Sequence, residues 1–270
     1  MLRLAFAGDR DVAVRVLKFI LGRGVRPLAL LVPAKGVSHA DQLAHICSHL
    51  DPRHVMVGRR FREPAAVALL EALQLDYLVC VHFPLIVPPE VLRIPRHGVL
   101  NLHPAYLPYN RGWHTPSWAI LEGTPYGASL HLMSEEVDAG PVVLRKALEV
   151  RPDDTADTLY RRVKSLEVEV FREAWPTLER CEGVRAEPQP DAGGTAHRKE
   201  DLFRPEVQRL DPDAVMKVGE VIDRLRALTT DRIGEAAYLV RNGARHRIQI
   251  RIVPEKASDV VAGQDMEADA

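Results

Sequence analysis

Hydrophobic positions in the first part of the chain come either in short continuous runs or at helical spacing. The apolar runs LRLAFAG and RPLALLVP flank RDVAVRVLKFILGRG, in which apolar residues recur every three or four positions. This order of strand, helix and strand predicts a βαβ unit with a parallel sheet and a right-handed crossover. The later run DYLVCVHF is apolar almost throughout, which is typical of a strand covered on both faces of its sheet.

The same alternation of patterns continues as far as Cys181. HGVLNLH, YGASLHLM and PVVLRKALEV are expected to be strands, and EPAAVALLEALQL and SWAILEG are expected to be helices. The segment after the last of these strands begins with Asp-Asp-Thr, residue types that cap helix N-termini, and predicts a long helix. We therefore predict an α/β domain over residues 1–183 that is built on an open, mostly parallel, Rossmann-like sheet.

The pattern changes after this domain. Residues 184–197 contain Gly and Pro without an apolar period, which predicts a linker or an excursion over the surface. Residues 198–254 are expected to form a small C-terminal module. In it, DPDAVMKVGEVIDRLRALT predicts a helix with an Asp N-cap, and AAYLVRNGARHRIQIRIVP predicts a β-hairpin around Asn-Gly. Residues 255–270 predict a disordered tail.

The second strand of the expected hairpin has an apolar face. Ile248, Ile250 and Ile252 alternate with polar residues, which predicts that this face is buried. An isolated two-stranded ribbon is marginally stable in water, so the face must pack on its own helix or on another chain. A homodimer that uses the hairpin is therefore our hypothesis.

Charge and composition exclude some classes of partner. The chain has 36 Lys and Arg against 37 Asp and Glu, and its formal net charge is −1. This balance gives no long-range attraction for nucleic acid or for an anionic membrane, so nucleic-acid binding is not expected. No run approaches the roughly 18 apolar residues that a membrane-spanning helix needs, so no membrane span is expected.

Cysteine and histidine positions predict neither a disulfide framework nor a metal site. Cys47, Cys80 and Cys181 are odd in number and far apart, which is typical of free thiols in a reducing compartment and predicts a cytoplasmic protein. His45 and His49 have the spacing of two metal ligands on a helix, but no second pair matches them. The first strand is followed by neither a G-x-G-x-x-G nor a Walker motif, so a dinucleotide cofactor is not expected.

The stretch VLNLHPAYLPYNRGW carries the main candidates for chemistry. Asn101 and His103 are two apart on an expected strand and so face one side, at the end where open α/β sheets bind ligands. Asp138 lies between two expected strands, in SEEVDAGPVV. Structural alternatives exist for all three: an amide that satisfies loop backbone, a hydrogen-bonded core histidine, and an aspartate that caps its own turn.

NLHPAYLPYNRG followed by GASLHLMSEEVDAGPVV resembles the signature of the formyltransferases that use 10-formyltetrahydrofolate. The family pattern is Asn-x-His-Pro/Ala, a Leu-Pro-x-x-Arg-Gly loop and a downstream Asp-x-Gly. Asn101, His103 and Asp138 occupy its three catalytic positions. The resemblance covers residues 1–180, is most specific over residues 97–141, and implies 10-formyltetrahydrofolate as co-substrate without a metal.

The chemistry of formyl transfer asks for these residue types. Transfer to an amine passes through a tetrahedral intermediate with an oxyanion, to which the Asn101 amide and a protonated His103 can donate. The amine must lose a proton and the folate nitrogen must gain one, and an imidazole suits this exchange. Asp138 is expected to stabilise the imidazolium, to orient it, or to hold a water that relays protons.

The resemblance also implies where the two substrates bind. The pterin ring is expected against the backbone of the FPLIVPP loop, which is alternatively a plain hydrophobic exit from its strand, and of the segment that ends at Asp138. The acceptor is expected beside the Arg-Gly loop, where Trp113 is a pocket wall or, alternatively, core packing. The expected folate-binding residues are Phe83, Pro84, Leu85, Ile86, Glu135, Glu136, Val137 and Asp138, and the expected substrate-binding residues are Tyr109, Asn110, Arg111, Gly112 and Trp113.

Several acceptor amines remain open within this family. The Tyr-Asn before Arg-Gly and the short module with a hairpin look closest to the enzymes that formylate nucleotide-linked amino sugars. Formylation of methionyl-tRNA is an alternative, although residues 198–254 carry only 12 Lys and Arg against 9 Asp and Glu, a weak basic surface for RNA. A siderophore or peptide precursor is another possible acceptor. Outside enzymes, the alternative is a module that binds folate or a nucleotide without catalysis.

Overall fold

The protein is described by a computed structural model over residues 2–34, 39–190 and 192–255. The predicted strands and helices up to the end of the long helix are present, whereas the helix Ala40–Ile46 and the strand Val55–Val57 were not predicted. The strands are β1 Leu4–Gly8, β2 Ala29–Val32, β3 Val55–Val57, β4 Tyr77–Val81, β5 Val99–His103, β6 Arg111–Gly112, β7 Gly127–Leu132, β8 Val142–Ala147, β9 Ala196–His197, β10 Ala237–Arg241 and β11 Ala244–Ile248. The helices are α1 Arg10–Gly22, α2 Ala40–Ile46, α3 Pro64–Ala72, α4 Pro89–Leu92, α5 Thr115–Glu122, α6 Ala156–Glu179, α7 Pro205–Gln208 and α8 Val218–Ala227. Short 3₁₀ helices span Pro52–His54, Arg60–Arg62, Asp201–Phe203 and Ile233–Glu235.

Seven strands form one sheet in the order β3-β2-β1-β4-β5-β7-β8. The first five are parallel to one another, and β7 and β8 are antiparallel to their neighbours. The chain adds strands outward from β1 on one side and outward from β4 on the other, so the topological switch point lies between β1 and β4. The carboxyl ends of β1, β4 and β5 lie at one edge of the sheet, and such sheets bind ligands at this edge, beside the switch point. The predicted open, mostly parallel α/β sheet is confirmed.

Both faces of this sheet are buried, as the apolar runs predict. Leu4 and Phe6 of β1 belong to one core cluster with the residues of α1 and α6. Ala5 and Ala7, which point to the other face, belong to a second cluster with Phe61 and residues of α3. The alternation of neighbouring β1 residues between two cores explains why the strand has no polar position.

The long helix α6 begins where the Asp-Asp-Thr sequence predicts. Thr155 is its N-cap and forms a capping box, in which Thr155 and Thr158 each accept a hydrogen bond from the other's backbone N–H. This reciprocal pairing satisfies two of the N–H groups that a helix start leaves unpaired. The buried face of α6 then packs against the sheet and α1.

The helix of the C-terminal module is shorter than predicted. It begins at Val218 and not at the Asp-Pro-Asp sequence, and its N-cap is Lys217, so the predicted Asp N-cap is wrong. The Asp211 carboxylate instead accepts a hydrogen bond from the backbone N–H of Asp213. This local turn competes with helix formation, as Asp side chains commonly do before a helix.

The predicted hairpin is present, with β10 and β11 antiparallel around Asn242 and Gly243. Both turn residues have positive φ angles, 51° and 75°, which is the backbone shape that favours Asn-Gly in two-residue turns. The predicted burial of the isoleucine face is only partial. Ile250 and Ile252 lie beyond the end of β11, and both are half-buried, as is Ile248.

The segment predicted as a linker, here called the crossing segment (residues 184–190 and 192–197), is bonded to the α/β domain. Glu187 forms a reciprocal pair of backbone hydrogen bonds with Val142, and β9 pairs in parallel with β6. Of the predicted tail, all but Glu255 lies outside the described residues. Over the described part of the chain, no helix has the length and apolar character needed to cross a membrane.

Candidate active site

Asn101 and His103 both line a cavity of about 380 Å³ at the carboxyl ends of the central strands. Strand register brings their neighbours into place: Asn101 pairs with Cys80 of β4 on one side and with His131 of β7 on the other. His103 is the last residue of β5 and its side chain is 8% exposed. The strand therefore presents an amide and an imidazole to one cavity, as their spacing predicts.

Asp138 reaches the same place from the loop between β7 and β8. Its Oδ1 accepts a hydrogen bond from Asn101 Nδ2 at 3.1 Å, and its Oδ2 accepts one from the Gly112 backbone N–H at 2.9 Å. Oδ2 also lies 3.5 Å from His103 Nε2. The structure thus brings Asn101, His103 and Asp138 together, although 35 residues separate His103 from Asp138 in the sequence.

The surroundings of Asp138 keep its carboxylate ionised. Burial acts to raise the pKa of Asp138, but the neighbouring His103, the hydrogen bond from His131 and the Gly112 N–H together outweigh it. The result is a pKa below the ordinary value of 3.8. A negative charge is therefore fixed beside the two imidazoles at neutral pH.

Sequence reasoning missed His131, which is fully buried and contacts two of the three predicted residues. Its Nε2 lies 3.1 Å from Asn101 Nδ2 and 3.4 Å from Asp138 Oδ1, and its Nδ1 lies 2.9 Å from the Leu132 carbonyl oxygen. Since a carbonyl only accepts, Nδ1 carries a proton and donates it there. A histidine within the apolar run GASLHLM was the signal that could have identified it.

The hydrogen bonds of His103 leave one ring nitrogen available. Nε2 lies 3.2 Å from the carbonyl oxygen of Asn110, so Nε2 carries a proton and donates it. Nδ1 has no hydrogen-bond partner among the described residues. The ring is therefore oriented by one nitrogen, and the other remains for a ligand in the cavity.

All residues expected to bind folate line the cavity. Phe83 to Ile86 follow β4 and form one wall, and Glu135 to Asp138 form another. Two apolar side chains on these walls are largely exposed, Ile86 at 72% and Val137 at 60%. Exposed apolar groups in a cavity are typical of a ligand-binding site.

The residues expected to bind the acceptor divide into two groups. Gly112 and Trp113 line the cavity, and Trp113 is 39% exposed. Tyr109, Asn110 and Arg111 do not line it. Asn110 is fully buried and its amide bonds to Thr124 and to the Pro125 carbonyl, whereas the Arg111 guanidinium bonds to the side chain of Gln189.

The contacts of Asn110 and Arg111 hold the loop against neighbouring segments, and Asn110 has a φ of 57°. A role of Tyr109, Asn110 and Arg111 in acceptor binding stays a prediction. A sequence pattern records which residues accompany a site, but it does not distinguish contact with a ligand from support of a loop.

A second group of polar residues lines the far end of the cavity and was not predicted. His82 Nε2 lies 2.7 Å from the carboxylate of the fully buried Glu167, and His82 Nδ1 lies 3.3 Å from the hydroxyl of Tyr160. Arg10 donates to the same hydroxyl at 3.0 Å. His82 directly follows β4 and Arg10 is the second residue after β1, so their position after buried strands was the available signal.

Other chemistries have little support at this site. Cys80 lines the cavity, but burial raises its pKa to about 12, so its thiol is not an activated nucleophile. Within the described ranges, no group of three or more His, Cys, Asp or Glu is arranged to hold a metal ion.

A second cavity of about 380 Å³ lies between α2 and the β2–β3 edge, and Asp41 and Arg60 are the charged residues on its wall.

Comparison with known proteins agrees with this geometry. Residues 33–175 match a model described as formyl transferase, and residues 204–254 match one described as the N-formyltransferase dimerization C-terminal domain. The dTDP-4-amino-4,6-dideoxyglucose formyltransferase of Mycobacterium tuberculosis is 27% identical over 160 residues, which cover 59% of this chain and 67% of that protein. The methionyl-tRNA formyltransferase of Xanthomonas campestris pv. campestris is 31% identical over 242 residues, which cover 87% of this chain and 76% of that protein.

Solved structures share the fold. A sugar N-formyltransferase from a Shewanella species has a TM-score of 0.78 at 21% identity, with 95% of this chain and 100% of that chain covered. An N-formyltransferase from Helicobacter canadensis, solved with folinic acid and dTDP-3-aminofucose, has a TM-score of 0.66 at 19% identity, with 91% and 86% covered. The match over more than half of the chain, together with the identity to the Xanthomonas enzyme, shows that this chain belongs to the formyl transferase family.

Proposed function

We propose that the protein is an N-formyltransferase that moves the formyl group of 10-formyltetrahydrofolate to the primary amine of a nucleotide-linked amino sugar. The observation that carries this proposal is the convergence of Asn101, His103 and Asp138 on one cavity. The chain's membership of the formyl transferase family supports it.

The arrangement fits each step of formyl transfer. The acceptor nitrogen attacks the formyl carbon, and the carbonyl oxygen becomes an oxyanion that needs a hydrogen-bond donor. Collapse of the intermediate breaks the bond between the formyl carbon and the folate nitrogen, which takes up a proton as the acceptor nitrogen loses one. His103 has a free ring nitrogen facing the cavity, and the ionised Asp138 stabilises the ring while it is protonated.

Asn101 has a further requirement as an oxyanion donor. Its amide nitrogen lies within hydrogen-bond distance of both Asp138 and His131. An amide has two N–H donors, so donation to an oxyanion requires one of these bonds to be exchanged for the ligand. We assign the exchangeable bond to His131, because the bond from Asn101 to the Asp138 carboxylate has a charged acceptor and is the stronger of the two.

The cavity walls support folate as the formyl donor. The segments that contain Ile86 and Val137 both line the cavity with these apolar residues exposed, which is suited to contact with a ring. The relative from Helicobacter canadensis was solved with folinic acid, a folate. We therefore assign the donor to the cleft between these two segments.

Charged and aromatic residues elsewhere on the wall support a nucleotide-linked acceptor. Arg10 and Arg232 line the cavity and offer guanidinium groups to a diphosphate. The exposed face of Trp113 at the same cavity is suited to stacking on a base. Two of the relatives described above act on or bind dTDP-linked sugars.

Methionyl-tRNA is the second candidate acceptor because the Xanthomonas relative acts on it and aligns over most of this chain. Against it, residues 198–254 carry only three more basic than acidic residues. An RNA of this size is normally bound by a denser basic surface, and its affinity falls steeply with salt.

The experiment presents 10-formyltetrahydrofolate and one of several amines to the purified protein. The amines are dTDP-4-amino-4,6-dideoxyglucose, methionyl-tRNA, and a peptide or hydroxamate precursor, and mass spectrometry measures gain of a formyl group. Formylation of the sugar nucleotide is expected. Formylation of methionyl-tRNA alone would contradict the acceptor, and folate binding without formylation of any amine would contradict the enzyme.

The same assay tests the residues that carry the proposal. His103→Ala and Asn101→Ala should each lower kcat by about 10²- to 10⁴-fold, the usual effect of losing a proton-transfer group or an oxyanion donor. His45→Ala is the matched control, since His45 is exposed on α2 and outside the cavity. If the activity of the two site variants falls together with their melting temperature, the result would instead support purely structural roles.

We propose two further properties. The C-terminal module forms a homodimer through its hairpin, which is supported by the description of the matching domain and by exposed apolar residues such as Val240, 39% exposed. The protein acts in the cytoplasm, which is supported by three free cysteines, since secreted proteins commonly pair theirs.

A further inference from the structure

The side chain of Gln189 joins two loops that carry the active site. Its Nε2 donates to the carbonyl oxygens of Asp138 at 2.8 Å and Gly140 at 2.7 Å. Its Oε1 accepts from Arg111 Nε at 3.1 Å and from Arg111 Nη2 at 2.8 Å. One carboxamide therefore makes four hydrogen bonds, to the Asp138 loop on one side and the Arg111 loop on the other.

The chemistry of the partners fixes the orientation of this amide. Both backbone carbonyls can only accept, and a guanidinium can only donate. A rotated amide would place its oxygen against the two carbonyls and its NH₂ group against the Arg111 guanidinium, so all four contacts would become repulsive. The observed orientation satisfies every partner, which makes the bridge stiff as well as specific.

The crossing segment holds the Arg111 loop at further points. Thr195 Oγ1 accepts from the Asn110 backbone N–H at 2.8 Å, and the Arg111 N–H donates to the Thr195 carbonyl at 2.9 Å. Gly112, the next residue, donates its own N–H to the Asp138 carboxylate. The Asp138 side chain is thus held from the Arg111 loop, and its main chain is held from Gln189.

We propose that Gln189 is a positioning residue for catalysis, which sets the Asp138 loop against the Arg111 loop so that the carboxylate meets His103 and Asn101. This inference rests on the proposed function. Gln189 does not line the cavity and so acts through Asp138. It needs such support because Asp138 has a φ of 52°, a left-handed conformation that a non-glycine residue keeps only when its surroundings hold it.

The test uses Gln189→Met, which keeps the length of the side chain and removes all four hydrogen bonds. Gln208→Met is the matched control, because Gln208 is 2% exposed and its Nε2 donates to the Gly234 carbonyl at 3.1 Å in the C-terminal module, outside the cavity lining. Displacement of a catalytic group by a fraction of an ångström to 1 Å lowers turnover by up to about 10²-fold. We expect kcat to fall by between about 10- and 100-fold in Gln189→Met and less than about twofold in Gln208→Met.

A double-mutant cycle separates positioning from a general loss of stability. If Gln189 acts through Asp138, then Gln189→Met should cost little further activity in an Asp138→Asn background. The same fold loss in both backgrounds would overturn the proposal. So would a loss of kcat that tracks the melting temperature and is equally large in Gln208→Met.

Amide hydrogen exchange supplies a readout that does not depend on turnover. Peptides that span residues 107–113 and 134–141 should exchange faster in Gln189→Met than in the wild type or Gln208→Met, because the two loops separate more readily. Unchanged exchange would overturn the proposal. If exchange is faster in Gln189→Met but the wild type formylates no amine, the proposed function would be overturned and the structural bridge between the two loops would stand.

Discussion

Asp138 is the residue on which most of the site's polar contacts converge. One oxygen meets Asn101 and His131, the other meets Gly112 and His103, and burial leaves little water to compete with them. The alternative assignment, a carboxylate that only caps its own turn, does not explain why these partners come from other elements. A carboxylate that merely ends a turn bonds to its own backbone.

Asp138→Asn keeps the shape of the side chain and removes its charge. We expect turnover to fall by at least about tenfold, equivalent to about 1.4 kcal/mol of transition-state stabilisation. Folate affinity should change little, because the pterin is expected to meet backbone in this segment. Turnover, folate binding and melting temperature are measured on one variant, and near-wild-type turnover would remove the carboxylate from the mechanism.

The low pKa of Asp138 also predicts how stability depends on pH. Because the pKa in the folded protein lies below the ordinary 3.8, the ionised carboxylate stabilises the fold fully at pH values above 3.8. That contribution is lost as the pH falls below 3.8 towards the folded-state pKa. The difference in free energy of unfolding between wild type and Asp138→Asn should therefore shrink as the pH falls below about 4. Denaturant titrations at each pH measure it, and a difference that grows below about pH 4 would contradict the assignment.

At the scale of elements, the pairing of β6 with β9 places the crossing segment against the active-site loop. Gly112 lies in β6 with a φ of 90°, and a Cβ atom built there would be 2.2 Å from the His197 carbonyl oxygen. His197 in turn stacks on Trp118 of α5, with ring centroids 3.8 Å apart. The aromatic contact therefore stabilises the two-residue strand pair, and Gly112 is required for the close approach of β6 to His197.

Gly112→Ala should separate these strands and displace the N–H that binds Asp138. We expect reduced activity and a loss of stability on the order of 1–3 kcal/mol, since strain of the backbone and steric overlap act together. Gly193→Ala is the matched control: Gly193 lies in the crossing segment with the same φ of 90°, and nothing lies within 4 Å of its Cβ position. Chemical denaturation and formyl transfer are measured for both variants. Equal losses of stability and activity in the two variants would mean that the positive φ, and not the close approach to His197, causes the effect.

At the scale of the molecule, the C-terminal module contributes to the cavity. Arg226 of α8 donates to the carbonyls of Asp154 at 2.7 Å and Arg151 at 2.7 Å, just before α6. The four module residues that reach the cavity wall are Thr230, Asp231, Arg232 and Glu235. The module is therefore part of the site as well as a candidate for association between copies.

If the hairpin forms the dimer interface, light scattering should give a dimer mass at micromolar concentration. Val240→Glu should shift the mass towards the monomer, because a carboxylate in the interface would have to lose its water. Val215→Glu is the control, since Val215 is fully exposed in the segment before α8 and outside the hairpin. A monomer mass for the wild type, with the hairpin ordered, would contradict the dimer.

The sequence by itself determined most of the order of elements and the buried sheet, and with the family resemblance it indicated the three candidate residues. Apolar runs and helical spacing follow local rules, and a residue such as Asn101 could be placed two positions before His103 on one strand face because strand geometry is periodic. The Asn-Gly turn and the Thr155 cap are equally local, since each depends on the backbone preferences of adjacent residues.

Only the tertiary structure decided which residues meet across elements. The antiparallel register of β5 and β7 places His131 beside Asn101, and no local pattern specifies that register. The crossing segment is held by hydrogen bonds to neighbouring loops and has no apolar period, so its composition alone predicted a linker. In the structure, its residue Gln189 bridges the Asp138 and Arg111 loops. Hydrogen bonds between distant residues depend on how the whole chain folds, whereas the apolar pattern of each element depends on its own neighbours.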